Sequence, residues 1–197
     1  MNFMRGNQMI VHDTRLNDPG NSIITPPRPS GNLKPPPAKN TWDVDTTYSA
    51  AHILGWCSNV AKGWGTMDAL HFMAHGNKGY LQIGSDGFTD SNVSLFEGLK
   101  GHVSNIVFFA CLVGGQLGDL AQCSTVIRVY AQKVAEKSGA KVVACNINQV
   151  YSWNLSTKII DFGDFEGDIF VIYPEGCFDM YNTSAGQPLN LERFIFG

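Results

Sequence analysis

Two apolar runs, at residues 70–76 and 106–111, constrain the fold of this chain more than any other feature. Both have the length of a buried strand and lack polar alternation, which is typical of parallel strands covered by helices on both faces. The first run ends in His75-Gly76 and the second in Ala110-Cys111. Because parallel strands end at the carboxyl edge of an open sheet, where such sheets build their sites, neighbouring strands would bring an imidazole and a thiol together.

Composition narrows the class of protein. The chain has 197 residues, of which 44% are hydrophobic and 16% charged, and this balance suits one soluble globular domain. A net charge of -3 with scattered basic residues argues against a nucleic-acid partner. No run approaches the roughly 18 apolar residues of a membrane span, and residues 1–15 lack the apolar core of a signal peptide. We therefore expect a protein without a membrane partner, located in the cytoplasm or exported without a classical signal peptide.

The cysteine pattern points to free thiols. Five cysteines at irregular spacing, with no C-x-x-C pair, favour reduced thiols in a cytosol over a disulfide framework or a zinc ribbon. Three of them are predicted to be packing or incidental thiols: Cys57, Cys123 and Cys177.

The proline content divides the chain near residue 40. Residues 1–40 are predicted to be a proline-rich arm or linker with a short strand at 8–12, and residues 41–197 to be the α/β domain. The clusters Pro26-Pro27-Arg28-Pro29 and Pro35-Pro36-Pro37 lack backbone donors for a helix or a sheet. An alternative role for the arm is docking to a proline-reading partner.

The remaining pattern alternates helices and strands. Helical spacing follows the cap candidates at residues 45–48, and a second amphipathic helix is predicted at 125–137. Further strands are predicted at 80–83, 141–145, 149–153, 158–162 and 168–173, with a short helix at 93–99. This order predicts a three-layer α/β sandwich with a mainly parallel central sheet.

A cysteine and a histidine at neighbouring strand ends suggest nucleophilic catalysis. A thiol is only slightly ionised at pH 7, so a catalytic cysteine needs a nearby base, and His75 is the candidate for Cys111. Acyl transfer also needs backbone donors for an oxyanion, and the N–H groups of Gly76 and Cys111 lie where the strand ends meet. Glycine at 76 is expected to let the chain turn and expose its N–H. This chemistry needs no cofactor and no metal.

An apolar block ending in His-Gly, followed by one ending in Ala-Cys, resembles the signature of the caspase-like clan of cysteine peptidases. The resemblance covers about residues 68–153 and implies an α/β sandwich with a His/Cys dyad and no essential third member. It implies that Cys111 is the nucleophile, that His75 is its partner, and that Gly76 and Cys111 form the oxyanion hole. The implied function is a cysteine endopeptidase that acts on a peptide or protein substrate.

The same resemblance implies substrate-binding residues after the third strand. Tyr151-Ser152-Trp153 matches a Tyr-Ser-Trp segment that pairs with substrate backbone and frames the specificity pocket in caspases, and Asn154 follows it. Caspases have arginine where this chain has Asn154 and glutamine where it has Phe109. Leu112-Val113 also departs from the caspase pattern, so cleavage after aspartate is not expected.

Several alternatives remain open at this level. The chain could be a non-catalytic caspase-like module that binds a peptide or protein partner. A metal-dependent hydrolase would use His71 and His75, although on a strand His71 is expected to be a hydrogen-bonded neighbour of the site. Cys145 also ends a strand and is the rival nucleophile. The acidic segment at 161–168 is interpreted as a solvated hairpin turn, with calcium or a basic side chain as the alternative ligand.

Overall fold

The computed structural model describes residues 2–17, 34–114, 129–149, 151–154, 156–161, 167–182 and 190–197. These residues form a mixed α/β fold around a seven-stranded sheet, with two small antiparallel sheets beside it. The described strands are β1 Gln8–Asp13, β2 Asn40–Val44, β3 Ala69–Met73, β4 His75–Asn77, β5 Tyr80–Gln82, β6 Phe88–Thr89, β7 Asn105–Phe109, β8 Lys141–Cys145, β9 Ser152–Trp153, β10 Ile160–Asp161, β11 Asp168–Ile172 and β12 Phe178–Asn182. The described helices are α1 Ala50–Gly63, α2 Tyr130–Ser138 and α3 Glu192–Phe196, with 3₁₀ helices at Thr14–Asn17 and Val93–Leu99.

The central sheet is mostly parallel. Its strand order is β12-β11-β8-β7-β3-β1-β2. Pairing is parallel from β2 through β8, whereas β11 runs antiparallel to β8 and β12 antiparallel to β11. Every residue of β1, β3 and β7 is buried, as expected for inner strands with both faces covered. The predicted mainly parallel sheet is therefore confirmed.

Helices cover both faces of this sheet. Alternate residues of β3 belong to different cores, because successive side chains of a strand point to opposite faces. Phe72 packs in a core with Leu54 of α1 and Val134 of α2. Met73 packs in a second core with Ile195 of α3. The result is a layer of helix on each side of the sheet, consistent with the predicted three-layer sandwich.

Helix α1 confirms the predicted helix and corrects its cap. The Ser49 hydroxyl accepts a hydrogen bond from the His52 N–H, so Ser49 is the N-cap and residues 45–48 precede it. The helix buries Ile53, Leu54 and Cys57 at helical spacing. It ends at Gly63, as the sequence pattern predicts.

The N-terminal strand is confirmed, and it is an inner strand of the domain. β1 lies between β2 and β3, so the interpretation of residues 1–40 as an arm or linker is wrong for residues 8–13. The proline-rich residues 18–33 lie outside the described residues. At Lys34 the chain is bound to the domain, because its N–H donates to the Lys158 carbonyl at 2.9 Å.

The cysteines differ from expectation at one position. Cys57, Cys111 and Cys145 form no disulfide, as predicted, but Cys177 in the turn between β11 and β12 is disulfide-bonded. A disulfide requires two Cβ atoms within roughly 4.5 Å, a proximity that the spacing of cysteines along a sequence does not reveal. Cys123 lies outside the described residues.

Other elements differ in extent from the sequence pattern. The strand predicted at 149–153 is reduced to β9, which pairs with β10 in a short hairpin. The edge strands β2 and β12 and the helix α3 were not anticipated. Of the acidic segment, residues 162–166 lie outside the described residues, so its role stays a prediction. Within the described part of the chain, no helix combines the length and apolar character needed to cross a membrane.

Candidate active site

The strand order of the central sheet reverses between β1 and β3. β2 follows β1 on one side of this pair, whereas β7 and β8 continue from β3 on the other. In open parallel sheets, ligands bind at the carboxyl ends of the strands where the order reverses in this way. The 3₁₀ helix Thr14–Asn17 leaves β1 at this point, and His75 follows β3.

The register of β3 and β7 brings the predicted dyad to the same level. Met73 is paired with Phe109, and the Ala74 N–H donates to the Phe109 carbonyl at 3.3 Å. His75 and Cys111 each follow two residues after that pair. The structure therefore brings the two predicted residues to the adjacent ends of β3 and β7, beside the reversal of strand order.

Gly76 packs directly against the backbone of Cys111. A Cβ atom added at Gly76 would lie 2.5 Å from the Cys111 carbonyl oxygen and 3.1 Å from the Cys111 nitrogen. Gly76 is not among the glycines with positive φ, so the expectation that it permits a turn is wrong. Glycine is required here because the segments at Gly76 and Cys111 approach each other too closely for any side chain at position 76.

Replacing Gly76 with alanine is expected to reduce the reactivity of Cys111 strongly. Relieving a 2.5 Å contact needs a displacement approaching 1 Å at the strand ends, which we expect to slow chemistry there about 100-fold. Overpacking should also lower the free energy of unfolding by about 1–3 kcal/mol. Alkylation kinetics and urea denaturation measure the two effects.

The matched control is Gly55→Ala on α1, where an added Cβ has nothing within 4 Å. This variant should be stabilised by about 0.5–1 kcal/mol, since alanine is favoured over glycine within a helix. Equal reactivity of Cys111 in both variants would show that the close contact at Gly76 does not shape the site.

The imidazole of His75 is oriented by a backbone carbonyl. His75 is half-buried, and its Nε2 lies 3.3 Å from the carbonyl oxygen of Arg15. A carbonyl only accepts hydrogen bonds, so Nε2 carries the proton of this contact. In the neutral ring Nδ1 then holds the lone pair, which makes Nδ1 the basic atom.

The thiol of Cys111 is partly exposed and contacts Gln149. The Gln149 N–H donates to Sγ at 3.3 Å, and Sγ lies 3.8 Å from the Gln149 carbonyl oxygen. An N–H directed at sulfur stabilises a thiolate relative to a thiol. The next residue, Leu112, has a φ of 59°, and this left-handed conformation is strained for a branched side chain. Such strain clusters at functional sites.

Cys145, the rival nucleophile, is buried inside the protein. Cys145 is fully buried, and its thiol donates to the carbonyls of Ala110 at 3.2 Å and Ile147 at 3.4 Å. Burial, with a smaller contribution from nearby Cys111, raises the pKa of Cys145 to about 12. Its thiolate is therefore negligible at neutral pH, and Cys145 is unsuited to be the nucleophile.

The predicted substrate-binding residues have distinct environments. Tyr151 is buried, and its hydroxyl donates to the Leu16 carbonyl at 2.7 Å. Trp153 is half-buried in β9 beside the Tyr151 ring, with 6.4 Å between centroids. Ser152 precedes it in the same strand. The side-chain oxygen of Asn154 accepts hydrogen bonds from the N–H groups of Ser156 and Thr157, so this residue stabilises the turn between β9 and β10.

His71 belongs to the core. Its Nε2 donates to the Gln8 side-chain oxygen at 2.7 Å, and its ring packs on Phe3 at 5.0 Å. Burial lowers the pKa of His71 to about 3, which keeps the ring neutral. Over the described residues, no group of three or more His, Cys, Asp or Glu side chains could hold a metal ion. His71 is thus hydrogen-bonded, as the sequence suggested, but its partners lie within the core.

Sequence reasoning missed three contributors to this site: Asp13, Arg15 and Gln149. Arg15 and Gln149 contribute to the site through backbone atoms. Every residue type has these atoms, so no sequence motif could have revealed the two positions. Asp13 binds Arg15 and is buried, and the signal that was available in the sequence is a carboxylate at the end of an apolar strand.

Comparison with known proteins adds no assignment: no protein-family model, no curated protein and no solved structure matches the chain. The described fold and site define a mixed α/β protein with a cysteine and a histidine at adjacent ends of a mainly parallel sheet.

Proposed function

We propose that this chain is a cysteine endopeptidase of the caspase-like clan. The observation that carries the proposal is the register of β3 and β7. His75 and Cys111 each come two residues after the paired Met73 and Phe109, and Gly76 packs against the Cys111 backbone. The site also lies beside the reversal of strand order between β1 and β3, and parallel sheets bind ligands at such reversals. A buried structural cysteine would not need this arrangement.

The proposed reaction uses the two side chains and two backbone donors. His75 Nδ1 takes the proton of the Cys111 thiol, and the sulfur attacks the scissile carbonyl carbon. The N–H groups of Gly76 and Cys111 donate to the resulting oxyanion. Collapse of the intermediate breaks the C–N bond as His75 protonates the leaving amine, and water then hydrolyses the thioester to release Cys111.

Specificity for aspartate is not part of the proposal. Phe109 occupies the position of the caspase glutamine, and its ring packs on Phe3 at 5.9 Å and His71 at 5.8 Å within the core. Asn154 occupies the position of the caspase arginine and stabilises a turn. Neither residue supplies a charge that would bind an acidic side chain. By resemblance, the segment at 151–153 would frame the pocket for the substrate.

A non-catalytic module that binds a peptide or protein partner is the second candidate. The observation in its favour is that both backbone polar groups of Gln149 face the Cys111 sulfur. Such contacts can also hold an inert thiol in a turn. The two candidates differ in the reactivity of that sulfur.

The test measures alkylation of the folded protein by iodoacetamide at pH 7, with mass spectrometry of the digested peptides, beside hydrolysis of a positional peptide library. We expect Cys111 to react at least about tenfold faster than N-acetylcysteine, because a paired base raises the thiolate fraction. Cys57 and Cys145, both buried, should react far more slowly and act as internal controls. Reaction of Cys111 at the rate of N-acetylcysteine, without hydrolysis of any peptide, would favour the binding module.

A further inference from the structure

One end of the turn that follows β1 is held by a buried carboxylate. The Asp13 side chain is 1% exposed and accepts four hydrogen bonds. The donors are the Arg15 N–H at 2.9 Å, Arg15 Nε at 2.8 Å, Arg15 Nη2 at 2.6 Å and the Gly84 N–H at 3.0 Å. Arg15 Nη2 also donates to the Gly84 carbonyl at 2.8 Å. Asp13 therefore joins the turn after β1 to the segment that follows β5.

The same turn is fixed from its other end by Tyr151. The Tyr151 hydroxyl donates to the carbonyl of Leu16 at 2.7 Å. Between these two anchors lies the Arg15 carbonyl, 3.3 Å from His75 Nε2. Two side chains thus hold a peptide unit whose oxygen orients the imidazole.

Asp13 and Arg15 form an ion pair that can hold the turn after β1 in one geometry. A carboxylate and a guanidinium bonded through two parallel contacts have a fixed relative geometry. Hydrogen bonding to Asp13 raises the pKa of Arg15, against the opposing effect of burial. Asp13 itself binds Arg15 and Gly84 in these contacts, so its effect on His75 passes through the backbone of Arg15.

We propose that Asp13 is a positioning residue for His75, acting through the Arg15 carbonyl. The proposal rests on the proposed function for its catalytic meaning, because His75 matters there as the base. With Asp13 in place, the carbonyl holds the proton on Nε2 and directs Nδ1 as the basic atom. Without it, the guanidinium loses its partner, the turn shifts, and the imidazole loses the contact that fixes its orientation.

The experiment compares Asp13→Asn with Asp86→Asn. Asp86 lies two residues after Gly84, accepts the Ala50 N–H at 2.8 Å and carries the same substitution without touching the turn after β1. Protein labelled with ¹⁵N-histidine gives a ¹H–¹⁵N correlation for the protected Nε2–H of His75, assigned by its loss in His75→Gln. The second readout is the rate of alkylation of Cys111 by iodoacetamide.

We expect Asp13→Asn to lose the His75 Nε2–H correlation and to slow alkylation about tenfold, since small displacements of a base are costly. Asp86→Asn should keep both signals even though it loses thermal stability. A folded Asp13→Asn protein with an unchanged correlation would overturn the proposal. Loss of the correlation in Asp86→Asn as well would also overturn it, because the effect would then be general destabilisation.

Arg15→Lys covers the case in which Asp13→Asn does not fold. It keeps a positive charge beside Asp13 but removes the two parallel guanidinium contacts, so the same correlation should weaken. An unchanged correlation in this variant would overturn the proposal. If Cys111 of the unmodified protein proves unreactive, the proposed function fails, yet the His75 signal still decides whether Asp13 positions the ring.

Discussion

Replacing Cys111 with alanine is expected to abolish hydrolysis of any peptide that the unmodified protein cleaves. Loss of the nucleophile of a catalytic pair reduces kcat by roughly 10⁴- to 10⁶-fold in well-studied hydrolases. Cys111 is partly exposed, whereas Cys57 and Cys145 are buried, and the Gln149 N–H is directed at the Cys111 sulfur. Initial rates on the best peptide from the library, with enzyme concentration verified by amino-acid analysis, measure the effect.

Two other cysteines provide matched controls for this variant. Cys57→Ala lies on α1, and Cys145→Ala removes the rival thiol at the end of β8. Both thiols are buried, and burial raises their pKa, so neither substitution should remove activity. Retention of hydrolysis in Cys111→Ala, or its loss in Cys145→Ala with an intact fold, would contradict the assignment of the nucleophile.

Replacing Phe72 with alanine is expected to give the largest loss of stability. Phe72 lies in β3 at the centre of a buried aromatic group, with ring centroids 5.2 Å from Phe88, 6.3 Å from Phe96 and 5.9 Å from Phe108. Truncation leaves a cavity that the packed neighbours cannot fill, so the free energy of unfolding should fall by about 3–5 kcal/mol. Urea denaturation monitored by circular dichroism measures it.

Met180→Ala is the control for Phe72→Ala. Met180 is 48% exposed on the edge strand β12, so its truncation should change the free energy of unfolding by no more than about 0.5 kcal/mol. A loss below about 1 kcal/mol for Phe72→Ala would mean that the aromatic group is not the packed centre of this core. The comparison tests the fold independently of any catalytic activity.

The elements that sequence reasoning placed correctly are those whose signal is local. β3, β7 and β8 consist mainly of apolar residues, and they occupy the inner part of the sheet. α1 combines a cap with apolar residues at helical spacing. These patterns are strong because burial on two faces, or on one helix face, restricts the residue types at each position.

The elements that were missed depend on distant partners. β2 has exposed and half-buried positions, and it is a strand because β1 pairs with it. β12 is held by β11 across a turn that carries the disulfide-bonded Cys177. An edge strand buries few of its side chains, so its amino-acid composition predicts a strand only weakly.

The features of the candidate site also divide into those that the sequence predicts locally and those that depend on distant partners. The sequence by itself determined that His75 and Cys111 end apolar strands, because strand burial and the residue that follows a strand are local properties. Only the tertiary structure decided that Gly76 is needed for close packing and that Arg15, 60 residues from His75, supplies the orienting carbonyl. It also decided that Tyr151 bonds Leu16, 135 residues away. Contacts of this kind join a backbone atom to a group from a segment far away in the chain, and their geometry exists only once the strands have paired.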